Sequence, residues 1–95
     1  MDLEMFSIRD DTVGAFHTPF FCHNMAEAVR AFEIMCKDKE TVFGRMPADF
    51  TLYSIGTWMD DAGRFDQDQA APVRVMGGIE ASLPEPTIRE VKSNA

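Results

Sequence analysis

The sequence predicts an α+β domain: an antiparallel sheet of two β-hairpins flanking one amphipathic helix (ββαββ), followed by a flexible C-terminal tail. Three observations predict it. The phrase from Ile8 to Phe16, an apolar run that stops at Asp10-Asp11, turns through Gly14 and leaves through Phe16, is echoed from Trp58 to Phe65 around Asp60-Asp61 and Gly63. Asp bonds its own backbone in turns and Gly accepts positive φ, so each phrase reads as a hairpin tip. Between them lies a segment with helical spacing, and a long alternating apolar segment leads into the second tip.

Leu3 to Arg9 carries β-favouring residues, with Phe6 and Ile8 on one face and Met5 and Ser7 on the other. Ala15 to Phe21 returns, and Pro19, which has no amide to donate, puts its far half at an edge or outside the sheet. Asn24 is an N-cap with Glu27 three residues on, and Met25, Ala28, Val29, Phe32, Met35 and Cys36 form the stripe of a helix over 25–36. Thr41 to Asp49, with Gly44 and Pro47, reads as a loop pinned by Val42 and Phe43. Phe50 to Met59 reads as a central strand. Strict alternation puts Phe50, Leu52, Ser54, Gly56 and Trp58 on one face and Thr51, Tyr53, Ile55, Thr57 and Met59 on the other. Gly56 marks a bulge or a close backbone approach.

Arg64 to Asp68 reads as a shorter, more polar strand. Val73, Val75 and Met76 suit a short strand, and Met76 to Leu83 a helical turn or two. Residues 1–79 are then one domain and 80–95 a tail, polar from Lys92 onward and broken by Pro84 and Pro86. Its Leu83, Ile88 and Val91 suit docking on the domain or on a partner subunit.

With 95 residues, 45% of them hydrophobic, the chain is long enough for one modest core. Its formal charge of −7 excludes attraction to nucleic acid or to an anionic membrane by overall field, because such binding rests on neutralising phosphates. A nucleic-acid role then requires a local basic patch, stacking, or basic surface gathered by oligomerisation. No apolar run approaches a membrane span. Asp2 and Glu4 stand where a signal peptide needs a basic region and an apolar stretch, so a reducing cytoplasm is expected, with Cys22 and Cys36 as free thiols.

The acidic turns, with Asp66 and Asp68 nearby, lack the ligand alternation of a calcium loop. His17, Cys22, His23 and Cys36 lack zinc-site spacing, and Cys22 and His23 are adjacent strand residues facing opposite ways, which disfavours a nucleophile pair. Gly77-Gly78 lacks the Lys-Ser/Thr of a phosphate loop. No catalytic residue, cofactor or metal is therefore expected. What remains is aromatic residues interleaved with basic ones: Arg9, Phe16 and His17 on the first hairpin, Trp58, Arg64 and Phe65 on the second. On an exposed sheet face such groups stack bases and hold phosphates. The alternative is that Phe16 and Trp58 are core and the arginines pair with neighbouring aspartates.

Thr18-Pro19-Phe20-Phe21, the helix with Arg30-Ala31-Phe32, and Pro47 to Trp58 followed by Asp60-Asp61-Ala62-Gly63 resemble, in order and spacing, the small nonstructural protein of gokushoviruses, which are single-stranded DNA phages. The resemblance runs from about Met5 to Pro72. It implies a nonstructural early phage protein, described as DNA-binding and linked to the synthesis or packaging of single-stranded DNA; no catalytic residue carries across. The leading reading is a non-enzymatic protein that binds single-stranded viral DNA in the host bacterial cytoplasm. On that reading Arg9, Arg64 and Arg45 contact phosphates, with Arg30 as a further cation, and Phe16, Phe65 or Trp58 stack bases. Lys37 and Lys39 are second choices, since positive charge at a helix C-terminus also complements the helix dipole. A homodimer, suggested by exposed strand edges, would align the arginines along one groove. The rival reading is a protein-interaction module engaging phage replication, scaffold or packaging proteins or a host factor.

Overall fold

Two long strands run antiparallel through the middle of the structure, and everything else is attached to one or the other. In the computed structural model, which describes residues 2–66 and 70–84, β1 (Leu3–Asp10) and β4 (Phe50–Met59) pair from Leu3 opposite Trp58 to Asp10 opposite Phe50. The outer edge of β1 takes β2 (Ala15–Phe16) and then β3 (Phe20–Cys22); the outer edge of β4 takes β5 (Arg64–Phe65) and β6 (Val73–Gly77). The result is an antiparallel sheet of six strands. The two expected hairpins are present as its two halves. Each return strand is short: Pro19 falls in the gap between β2 and β3, where a missing amide breaks no ladder bond.

Both tips close as the Asp-Asp-Gly phrases require. Gly14 at φ 81° donates to the Asp10 carbonyl, and Gly63 at φ 69° donates to the Met59 carbonyl, each at 2.8 Å. At the first tip the Asp10 carboxylate accepts from the Thr12 amide, the Thr12 hydroxyl and the Val13 amide.

The helix α1 (Met25–Lys37) starts where the cap signal puts it: the Asn24 side chain accepts from the Glu27 amide at 3.0 Å. Glu27 reaches back to the His23 amide at 2.8 Å, one residue earlier than in a standard capping box. Ala28, Phe32 and Cys36 bury fully against Phe6, Ile8, Phe50 and Leu52 of the sheet; Met25, at the open first turn, stays exposed.

Two expectations need correction. Residues 41–49 are not a plain loop but a short helix α2 (Val42–Arg45) and a 3-10 turn (Pro47–Asp49). Thr41 caps α2 by accepting from the Gly44 amide, and Pro47 starts the turn at the one position where its missing amide is harmless. The segment after β6 forms α3 (Gly78–Ser82), and its Ala81 belongs to the core. The folded unit therefore runs past residue 79, where the tail was expected to begin. Glu80 fixes this helix by accepting from the Gly77 amide at 3.0 Å and from Arg74 at 2.7 Å. Asp68 and the expected tail residues Pro86, Ile88, Val91 and Lys92 lie outside the described residues.

Gly78 is buried, and a Cβ there would collide with the backbone carbonyl of Pro47. Helix propensity alone would have Ala at this position stabilise by about 1 kcal/mol. The steric account expects the opposite. Gly78→Ala should destabilise by about 1–3 kcal/mol in urea unfolding, as overpacking does, and a gain in stability would contradict the close approach of α3 to the 3-10 turn.

Candidate functional site

The pairing of β4 with β1 is interrupted once, and that interruption creates the site. Met5 faces Gly56 and Phe6 faces Ser54, so Ile55 is an extra residue on β4: a β-bulge at Ile55-Gly56. Gly56 takes φ 156°, and a Cβ on it would stand 3.4 Å from the Met5 methyl. The bulge shifts the alternation of every later residue. Before it, Leu52 and Ser54 sit opposite Ile8 and Phe6 on the helix-covered face; after it, Trp58 sits opposite Leu3, on the other face. This corrects the expected grouping of Trp58 with Phe50 and Leu52.

The face without helices thus gathers Leu3, Met5, Ser7 and Arg9 of β1 with their cross-strand partners. Phe16 is opposite Arg9, Phe21 opposite Met5, Tyr53 opposite Ser7, Trp58 opposite Leu3, and Phe65 opposite Trp58. Five aromatic rings share one sheet face. They pair at its two ends, with Phe16 edge-on to Tyr53 at 5.2 Å between centroids and Trp58 edge-on to Phe65 at 5.1 Å. Phe16, Phe21 and Phe65 are 43%, 49% and 47% exposed, far from a core environment. Leu3, Phe21, Trp58 and Phe65 line an open apolar pocket of about 320 Å³.

The cations do not converge in the same way. Arg9 is on the aromatic face, but its guanidinium donates to Asp11 at 2.6 Å, and Asp11 is itself held by the Thr51 hydroxyl at 2.6 Å. Arg64 pairs with Met59, so alternation from Phe65 puts it on the opposite face, and it lies at the other end of β4 from Thr51, the partner of Arg9. Eight residues of strand separate those ends, about 27 Å. Arg45 donates to the carbonyls of Lys39 and Glu40, and Lys39 donates to the Gly44 carbonyl, so both tie down the α1–α2 connection. Arg30 and Lys37 project from the exposed side of α1. Of the residues expected to bind DNA, Phe16, Trp58 and Phe65 share a face with Arg9; Arg30, Lys37, Lys39, Arg45 and Arg64 do not.

Tyr53, Phe21 and Leu3 complete the surface although sequence reading did not select them. Tyr53 carried a usable signal, since alternation assigns it to the strand face opposite Leu52. Leu3 and Trp58 meet only because of the bulge.

Acidic groups stand at both ends of this face. The first tip contributes Asp10 and Asp11. At the other end, Asp2, Asp60 and Asp61 bring carboxylate oxygens within 4.8 Å of one another, all exposed. Among the described residues this is the one grouping with metal-ligand proximity, and His17, Cys22, His23 and Cys36 do not form one. Both cysteines are free; burial pushes the Cys36 thiol up to about 11, away from nucleophilic use at neutral pH. No helix among the described residues is long and apolar enough to cross a membrane.

The matching family model is that of the Phage ORF5 protein, over residues 3–81, which takes in every strand and helix described above except the last residue of α3. The chain belongs to this phage protein family. No curated protein and no solved structure matches it.

The hydroxyl of Thr51 foremost, and then Arg9, hold the Asp11 carboxyl below its ordinary value; hydrogen bonds from Thr12 do the same for Asp10. A depressed carboxyl contributes stability that is complete above its unfolded value, near pH 4, and is lost as pH falls through its folded value. Stability should therefore decline below about pH 4. Thr51→Val should lower stability at neutral pH by about 1 kcal/mol and reduce the acid-induced loss. Thermal melts at neutral and acid pH check this; an unchanged acid dependence would remove Asp11 from the account.

Proposed function

We propose that this phage protein is a non-enzymatic interaction module, of the gokushovirus kind its sequence resembles, which holds another phage or host protein against the aromatic sheet face in the host cytoplasm. One observation carries the reading: the rings converge and the cations do not. Protein interfaces have cores enriched in aromatic residues and depleted of free charge, with the strongest contacts at Trp and Tyr. Phe16, Tyr53, Phe21, Trp58 and Phe65 supply such a core. A net charge of −7 does not oppose a protein partner, whereas it disfavours the approach of a phosphate chain.

The same five rings favour a second reading, in which single-stranded DNA is held by base stacking, at about 1–3 kcal/mol per base. With Arg9 tied to Asp11 and the other cations elsewhere, few phosphates are neutralised. Such binding would show little loss with added salt, unlike the steep loss of a cationic groove. Homodimerisation through the outer strands β2, β3, β5 and β6 is part of the first proposal, since short unpaired edges invite pairing.

Pull-down from infected cells, with and without nuclease, separates the readings. The expected result is partners that survive nuclease and are lost with the Phe16→Ala/Phe65→Ala double variant. Partners that vanish with nuclease, together with micromolar binding of a thymidine oligonucleotide insensitive to salt, would transfer the function to DNA. Light scattering at working concentration should give a dimer mass; a monomer mass would refute the edge-paired dimer.

A further inference from the structure

Backbone hydrogen bonds leave β1 on alternate sides. The Ile8 carbonyl accepts from the His17 amide, so the even-numbered residues of β1 direct their backbone groups toward β2 and β3. Just past the end of the β1–β4 ladder the Asp11 amide donates to the Asp49 carbonyl, so the odd-numbered residues direct theirs toward β4. Met5 is odd-numbered and stands opposite Phe21, so these two share no hydrogen bond; the bonded pairs are Phe6 with Phe20 and Glu4 with Cys22. The Phe21 amide and carbonyl therefore point away from β1. Among the described residues β3 pairs with β1 alone, so both groups lie on a free sheet edge. The Phe21 ring is half exposed and lines the apolar pocket with Leu3, Trp58 and Phe65. One residue thus presents both a pocket wall and an open pair of backbone groups.

Resting on the protein-binding reading of the aromatic face, we propose that the partner contributes an extended segment that adds to the free edge of β3 as a further antiparallel strand. An aromatic or large aliphatic residue of that segment stands opposite Phe21. It exchanges both backbone hydrogen bonds with Phe21, and the pleat turns its side chain onto the aromatic face, beside the Phe21 ring and the pocket. Its two chain neighbours fall on the helix face beside Phe20 and Cys22, where β-favouring residues such as Val and Thr suit. Main-chain bonds hold such a strand and the pocket selects its side chain. A partner helix satisfies its own backbone groups internally and leaves those of Phe21 open. The edge is short, with Pro19 before it and α1 starting at Met25, so the added strand is short as well. The homodimer then uses the other outer edge, β5 and β6.

Trp58 is the one tryptophan of the chain and lines the pocket, so its fluorescence reports occupancy, while hydrogen exchange of the Phe21 amide reports the edge. The probes are a synthetic peptide with the core Thr-Val-Phe-Val-Thr, the same peptide with its Phe amide N-methylated, and one with Ala in place of Phe. The first should shift the emission saturably and slow exchange of the Phe21 amide at least tenfold. N-methylation removes the donor opposite the Phe21 carbonyl and should weaken binding at least fivefold; the Ala peptide should weaken it similarly. Phe21→Thr, which keeps the edge backbone and a β-favouring residue, should weaken the first peptide at least threefold.

Equal binding of the N-methylated peptide, or an emission shift with unchanged exchange at Phe21, overturns strand addition but leaves the protein-binding reading standing. Response to none of the peptides also overturns it, and the nuclease experiment then decides the broader reading separately. Exchange at Phe21 that slows with protein concentration alone, with no peptide competing, assigns the β3 edge to a second copy of the chain and overturns it as well. A shift with a thymidine oligonucleotide and with no peptide defeats both.

Discussion

The register of β1 against β4 is the constraint on which the structure depends. Every other strand is added to an edge of this pair, and every helix packs on one of its faces. Because side chains alternate along a strand, a slip of one residue inverts everything beyond it. The extra residue at Ile55-Gly56 is such a slip, fixed in place. It keeps Phe50, Leu52 and Ser54 toward the helices and turns Trp58 away from them. Gly56 permits it, since its φ of 156° suits few other residues.

The sheet is consequently two-sided in chemistry. On the helix side, Phe6, Phe32 and Leu52 are fully buried, each contributing about 1.5–3 kcal/mol relative to exposure, and Ala28, Cys36 and Ala81 allow α1 and α3 to come close. On the other side, the aromatic residues cover one another only in pairs. Phe16, Phe21 and Phe65, left about half in water on one face, mark an interaction surface. The charged residues divide their work in a matching way. Arg9, Lys39, Arg45 and Arg74 each hold a turn, a connection or a helix end, so their charge is committed to the fold. The acidic turns border the aromatic face and give it its sign.

Much of the fold was legible in the sequence because its signals were local. The Asp-Asp-Gly tips, the Asn24 cap and the Phe32 stripe each depend on residues within a few positions of one another. Residues 41–49 misled because Gly44 and Pro47 read as loop residues; each occupies a helical position that only the surrounding backbone reveals, Gly44 where a Cβ would strike the Asp38 carbonyl. The α3 segment was faint for a similar reason, its Gly78 being required by contact with Pro47. The site was half legible. Phe16 and Phe65 follow directly from their tips, but the side on which Trp58 falls depends on cross-strand register. Of the alternative in which the arginines pair with neighbouring aspartates, the structure shows the pair for Arg9, which binds Asp11.

The account as a whole rests on the bulge carrying Trp58 to the aromatic face. Nuclear Overhauser contacts of the Trp58 indole in solution test this most directly. They should run to Phe65, Leu3 and Phe21. Contacts from the indole to Phe32 or Leu52 instead would place it in the core, remove the bulge, and with it the surface on which the functional proposals stand.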